Sequence, residues 1–322
     1  NIDLLIYSFF DILFIMENIN RYNHLNEFLK NKFGERTLKI CIDGGFTCPN
    51  RDGTISTGGC IFCSEKGSGE HINSLLDIKD QVSSCLNGYK STRANKFIAY
   101  FQNFTNTYDK LENLKLKYDA SLIDDRIVAL AIATRPDCIT EDIVKLIKSY
   151  SDKYYVWVEL GLQTSNDNIG SLINRGYTSL DFTRAVKILN KYNIDIVTHI
   201  MVGLPLETKQ DLINTVDFIN LHNIQGLKIH SCYVIKNTIL ANMYKSGTYT
   251  PITLDYYLNS VAYILTHINS NIIIHRISGD APKELLLAPE WNLHKKWVIN
   301  GLDKLLKDHN LWQGMYNNKS CN

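Results

Sequence analysis

The stretch CIDGGFTCPNRDGTISTGGCIFC, residues 41–63, governs the reading of this 322-residue chain. Cys60 and Cys63 flank a two-residue gap, and eleven residues separate Cys48 from Cys60. Gly44, Gly45, Gly53, Gly58 and Gly59 lie among them. A glycine-rich backbone can wrap closely around a metal centre, so thiolates at this spacing can converge on one iron–sulfur cluster. Structural zinc is the competing reading, but closed zinc sites take four ligands, often as two paired knuckles. Here one Cys-x-x-Cys pair is present, and a fourth ligand would have to be Cys41 or a distant His. Spacing alone leaves cluster and zinc both open, with a disulfide a distant third.

Outside this stretch, Cys85, Cys138, Cys232 and Cys321 are scattered and read as small, inward-facing hydrophobes. In a reducing compartment, clustered cysteines are metal ligands or redox groups before they are disulfides. A hydrophobic share of 45% against 21% charged residues is ordinary globular composition. The length suits one large α/β domain, or a domain with an appendage. A formal net charge of +1 announces no nucleic-acid partner in bulk and leaves a local basic patch open. The opening NIDLLIYSFFDILFI is shorter than the roughly 20 residues a membrane span needs, is interrupted by Asp3 and Asp11, and lacks a basic flank. We expect residues 1–15 to lie upstream of a natural start at Met16. We also expect a cytoplasmic location and no membrane partner.

Seven nearly continuous apolar runs are predicted strands: 38–43, 96–101, 127–133, 155–160, 194–200, 226–230 and 271–276. Such runs suit strands covered on both faces. Helical patterns lie between them at 141–150 after Thr140, at 179–193 from Ser179 or just before it, and at 208–223 from Thr208. Alternating strands and helices predict an α/β fold with a parallel sheet closing into a full or partial barrel. Chemistry then sits at the C-terminal strand ends. Asp43, Gln102, Arg135, Glu159, His199, His230, His275 and Arg276 fall there by position. From about 277 onward the pattern is helical.

The run GGFTCPNRDGTISTGGCIFC resembles the cluster loop of a radical S-adenosylmethionine (SAM) family related to the catalytic subunit of Elongator. The likeness continues through ATRPDC (133–138), ELGLQTSND (159–167), NRGYT (174–178), HIMVGLPLET (199–208), GLKIH (226–230) and HRISGDAP (275–282), so it spans about residues 20 to 300. It implies a partial (β/α)6-type radical SAM barrel with a helical C-terminal extension. The expected divisions are a lead-in over 16–37, a core over 38–225 and a C-terminal region over 226–322. It implies that Cys48, Cys60 and Cys63 hold a [4Fe–4S] cluster whose fourth iron is open to SAM. The eleven-residue first gap, longer than the common three, is itself a mark of this family; Cys41 falls outside its pattern.

By the same resemblance Phe62 lies beside adenine, and Gln102 with Asn103 takes the methionyl amine, although the usual Gly-Gly-Glu is missing. Glu159 and Gln163 come near the ribose and methionyl group. Arg175 faces SAM or substrate, and Gly203 and Glu207 belong to an adenine-supporting turn. Each has a plainer reading as well: a polar group satisfied at a strand end, a cation closing a helix before Gly176, an acid at a helix start. Arg135, with Asp137, and His199, His230, His275 and Arg276 are expected at the barrel mouth as catalytic or substrate-facing groups. Their charge suits an anionic substrate.

The resemblance implies reductive cleavage of SAM by a cluster fed from a reductant such as flavodoxin or ferredoxin, followed by hydrogen abstraction. It also points to tRNA: members of this bacterial family process the carboxymethylaminomethyl side chain of wobble uridine. A small metabolite or a protein is the alternative substrate. The alternative class is a zinc-stapled, non-enzymatic RNA-binding module. The single knuckle, the near-neutral charge and the long α/β body speak against it.

Overall fold

All seven apolar runs form strands in the computed structural model, which describes residues 20–317 except 68, 70, 71 and 73. The apolar segment 1–15 and Cys321 lie outside the described residues. Helix α1 (Leu25–Phe33) precedes β1 (Thr37–Ile42), and α2 (Ile78–Asn87) leads to β2 (Lys96–Phe101). Helix α3 (Leu111–Ser121), β3 (Ile127–Thr134), α4 (Glu141–Lys148) and β4 (Tyr155–Gln163) follow. Next come α5 (Asp167–Leu172), α6 (Ser179–Lys191), β5 (Asp195–Val202), α7 (Lys209–Asn220) and β6 (Gly226–Ser231). The remainder is β7 (Val234–Ile235), α8 (Ile239–Lys245), α9 (Leu254–His267), β8 (Ile273–Arg276), β9 (Leu286–Ala288) and α10 (Lys295–Asp308).

Strands β1 to β6 and then β8 form one seven-stranded sheet in chain order, and every neighbour pair is parallel. Parallel neighbours need long crossovers, and the helices supply them. Three of those helices start where the sequence predicts: after Thr140, at Thr208, and just before Ser179 at Thr178. Thr140 accepts from Ile143 N–H, and Thr178 and Thr208 form reciprocal capping boxes with Asp181 and Asp211. Among the described residues, no helix is long and apolar enough to cross a membrane.

The sheet curls, and its two faces differ. Its outer face packs against helices through Ile40, Phe101, Leu130, Val158, Ile196 and many other apolar side chains. Its inner face carries Ile98 and Tyr100, three small alanines of β3 (Ala129, Ala131, Ala133), Trp157 and Val197. Leu25 and Leu29 of α1 plug the lower end of that interior. Strands β1 and β8 end the sheet without pairing with each other. Helix α1 contacts both of them, and a His24–Ile274 bridge ties its start to β8. The barrel is therefore a half-barrel with a seam.

One expectation is corrected. The tail does not turn helical at about 277: Leu286–Ala288 is a strand paired antiparallel with Val234–Ile235, and the helix begins at Lys295. Pro282 and Pro289 bracket the intervening segment, where each lacks the N–H a helix interior needs.

Candidate active site

The loop carrying the cysteines leaves the C-terminal end of β1 and is held by specific bonds. The Cys48 carbonyl accepts from Arg51 N–H at 2.8 Å, and the Cys60 carbonyl accepts from Cys63 N–H at 3.0 Å, which closes the Cys-x-x-Cys turn. Arg51 donates to the carbonyls of Cys63 (3.2 Å) and Ser64 (2.5 Å). Its guanidinium crosses Gly59, where a Cβ would come within 2.9 Å of Nε, and Gly59 has φ +70°. Only glycine suits that position.

The loop docks on the segment 174–177. Asn50 Nδ2 donates to the Asn174 carbonyl at 2.6 Å, and Asn174 Nδ2 donates to the Gly59 carbonyl at 2.7 Å. Gly176, at φ +78°, lets Asn50 approach; a Cβ there would lie 2.8 Å from its Oδ1.

Cys48, Cys60 and Cys63 thereby line one cavity of about 620 Å³ at the upper end of the barrel interior. Cys60 lies in electrostatic range of both other thiols and of Arg135. Burial, then the Cys63 and Cys48 sulfurs, push its thiol up to about 12. Arg135 pairs with Asp137 through two bonds (2.7 and 3.0 Å), donates to the Arg175 carbonyl at 2.9 Å and places Nη1 3.9 Å from the Cys48 sulfur. Among the described residues, no three His, Cys, Asp or Glu side chains gather as the ligands of a single ion.

Below the thiols lies an ionic floor built by inward-facing strand residues. Glu159, 1% exposed, accepts from Tyr100 Oη (2.7 Å), Trp157 Nε1 (3.1 Å), Lys39 Nζ (3.4 Å) and Lys228 Nζ, with His199 Nε2 at 2.9 Å. Burial opposes its ionisation, but Lys228, Lys39 and His199 together outweigh that and hold the carboxyl well below the usual range. Burial, then Lys228, lower the His199 imidazole to about 4, so it is neutral and donates from Nε2. Lys228 stands opposite both His199 and Arg276 in register, which lays a basic row across β5, β6 and β8.

Of the residues singled out from sequence, the cavity wall gathers Phe62, Gln102, Arg135, Glu159, Gln163, His199, His230 and Arg276 with the three cysteines. His230 Nε2 is buried there without a partner among the described residues. Asn103 lies behind the wall and donates to Asp43 at 3.0 Å. Arg175, 1% exposed, is spent on the Leu162, Thr164 and Tyr177 carbonyls and on Asp167. It and Arg135 each lie over the Tyr177 ring, at 4.8 and 4.7 Å. Gly203 and Glu207 sit outside the wall: Gly203 N–H donates to Glu207 at 2.6 Å, and Tyr249 Oη donates to the Gly203 carbonyl at 2.7 Å. His275 also lies outside it, edge-on to Trp157.

Sequence reasoning missed Lys39, Arg51, Tyr100, Tyr177 and Lys228. A lysine alone among apolar neighbours in a buried strand, as in GLKIH, was the available signal. Cys41, read as a strand residue, is in β1 and also reaches the cavity wall. Cys138 and Cys232 are buried, as read from their scatter, whereas Cys85 is half-buried and reaches the cavity wall.

Two family descriptions match the chain. They are the Radical SAM superfamily over residues 51–219 and the Radical_SAM C-terminal domain over 224–308. The Bacillus subtilis (strain 168) protein "Uncharacterized protein YtqA" is 37% identical over 304 residues, 92% of each chain. A tRNA uridine(34) acetyltransferase of Methanocaldococcus jannaschii is 28% identical over 172 residues, 51% of this chain and 30% of that protein. Among solved structures, archaeal Methanocaldococcus infernus Elp3 with an N-terminal deletion superposes with a TM-score of 0.64 at 18% identity. The match covers 86% of this chain and 64% of that one, and it shows a shared fold.

Proposed function

The chain belongs to the radical SAM superfamily, and on that premise we propose that Cys48, Cys60 and Cys63 hold its [4Fe–4S] cluster and that it modifies a uridine side chain in tRNA. The observation that carries the first part is the convergence of those three thiols on one cavity, with Arg135 beside Cys48 and Cys60. The residues suit the group. Three sulfur donors leave one iron for SAM, and a neighbouring guanidinium offsets thiolate charge. A single zinc ion needs every ligand about 2.3 Å from one point, whereas the thiolates of a cuboidal cluster each take their own iron.

When bound, cluster and SAM supply a 5′-deoxyadenosyl radical that removes an unactivated hydrogen. The protein binds, orients and shields. Gln102, Gln163 and Phe62 line the space next to the thiols and are the residues we assign to SAM. Tyr177 fixes Gln163 by donating to its Oε1 at 2.7 Å. Arg276, His230 and His199 lie on the same cavity and present a basic, neutral-imidazole wall to an anionic substrate group. That wall suits the carboxylate of a carboxymethylaminomethyl side chain, and similarity to a tRNA uridine(34) acetyltransferase supports the tRNA assignment. The partner this chemistry requires is a one-electron donor of the flavodoxin or ferredoxin kind.

Anaerobic purification should give a brown protein with broad visible absorbance that releases 5′-deoxyadenosine from SAM under dithionite. A colourless, SAM-inert protein rejects the cluster. Mass spectrometry of tRNA nucleosides from a deletion strain tests the substrate, and an unchanged wobble-uridine profile rejects it.

A further inference from the structure

A second cavity, about 360 Å³, opens at the seam where β1 and β8 fail to pair. Its walls come from α1, the first half of β1, β8 and the start of α10. Lys228 and Arg276 line this pocket and the cysteine cavity alike, so two openings meet at one pair of cations. Among the described residues, its titratable lining is Tyr22, His24, Lys39, Lys228, His275, Arg276 and Lys295, with no Asp or Glu.

Charge is the informative quantity here. Two carboxylates reach this set from outside the pocket. Glu159 takes Lys39 and Lys228, and Asp280 bridges Arg276 at 3.2 Å and Lys295 at 3.3 Å. Four basic side chains thus meet two carboxylates; Lys228, only 3% exposed, pairs with Glu159, while Lys39 and Arg276 are partly exposed and Lys295 is at the surface. Burial disfavours the charged form of Lys228, and an anion entering the pocket beside it, Lys39 and Arg276 would favour that form. His275 adds a directional group: its Nδ1 is buried and without a hydrogen-bond partner among the described residues. Gly226 makes the seat for its ring, since a Cβ there would lie 2.8 Å from His275 Nε2. Leu29, Ile98 and Ile299 are part of its apolar lining.

We infer that the seam pocket is a second binding site, for a short-chain organic carboxylate held by Lys39, Lys228, Arg276 and His275. The site opens sideways, so its occupant reaches the floor while a macromolecular substrate covers the mouth. It stands on the lining alone and does not depend on whether the thiols hold a cluster.

Calorimetric titration of the full, cluster-reconstituted chain with propionate and with its neutral isostere propionamide tests the site. Propionate should bind at least about tenfold more tightly than propionamide. Lys39→Met should weaken propionate by about tenfold, roughly one ion pair. Ile299→Trp, at a helix position that is 41% exposed and lines the pocket, should abolish propionate binding while leaving SAM binding intact. Equal affinities for acid and amide overturn the inference. So does propionate binding that survives Ile299→Trp unchanged, since the anion then sits in the other cavity. If Lys39→Met does not fold, the isostere comparison and Ile299→Trp still decide it.

Discussion

The rim and the floor of one cavity are built on opposite plans. At the rim, three thiols sit on an irregular loop; the polar groups nearest Cys48 and Cys60 stand off at 3.8–3.9 Å. At the floor, Glu159 is saturated by two lysines, a tyrosine, a tryptophan and a histidine, all projecting from β-strands. The rim is held by backbone turns and by the Asn50, Arg51 and Asn174 side chains, which grip main-chain carbonyls of the loop and its cradle. The floor is organised through side chains that meet on Glu159, and Lys39 and Lys228 also face the seam pocket. Rim changes should therefore act first on chemistry, and loss of Glu159 first on the fold.

The largest effect should come from the rim. Cys60→Ala should eliminate visible absorbance and 5′-deoxyadenosine formation together while leaving the urea midpoint of the metal-free protein near its original value. Retained absorbance in that variant would break the distinction. Floor changes should do the reverse. Glu159→Gln leaves Lys228 buried beside an uncharged partner, and loss of one member of a buried pair costs about 3–5 kcal/mol. Adding Lys228→Met should recover a large part of that loss, measured as a double-mutant cycle by urea denaturation. Strict additivity would mean the two do not act as a pair. A smaller effect belongs to Arg51→Ala, which removes the bonds to Cys63 and Ser64. It should lower cluster occupancy after reconstitution several-fold, read as iron per chain, with secondary structure unchanged.

The same contrast explains what was legible in the sequence. Cysteine spacing survives as a linear pattern because one short loop carries all three thiols. The strands were legible because both sheet faces are covered, so each reads as an apolar run. The capped helices α4, α6 and α7 were legible through Thr140, through a start at or just before Ser179, and through Thr208. The floor was legible only in part: Glu159 and His199 stood out at strand ends, whereas Lys39, Tyr100 and Lys228 lie inside apolar strands, and only parallel register brings all five together. Arg175 shows the converse error. Its motif position suggests a cofactor contact, but four bonds to neighbouring carbonyls and Asp167 spend its guanidinium on bracing the loop's cradle.

The smallest effect concerns a second acidic side chain, Glu207, which lacks what Glu159 has. Among the described residues no lysine or arginine pairs with it; its partners are the N–H groups of Gly203 (2.6 Å) and Leu204 (3.4 Å). Burial dominates these bonds and raises its carboxyl from 4.5 to about 7. A folded-state value above the unfolded one means that the folded protein holds the proton more tightly. The stabilisation from Glu207 is therefore full below pH 4.5 and fades as pH rises through about 7. Glu159, held below the ordinary range, has the opposite sign: its contribution is present above the unfolded value and fades on acidification. Subtracting the Glu207→Gln unfolding free energy from that of the unmodified protein at each pH isolates the first slope. The difference should decline between pH 4.5 and about 7 and flatten on either side. A flat difference across that window would mean that Glu207 titrates like a solvated acid, and the contrast between the two carboxylates would then rest on Glu159 alone.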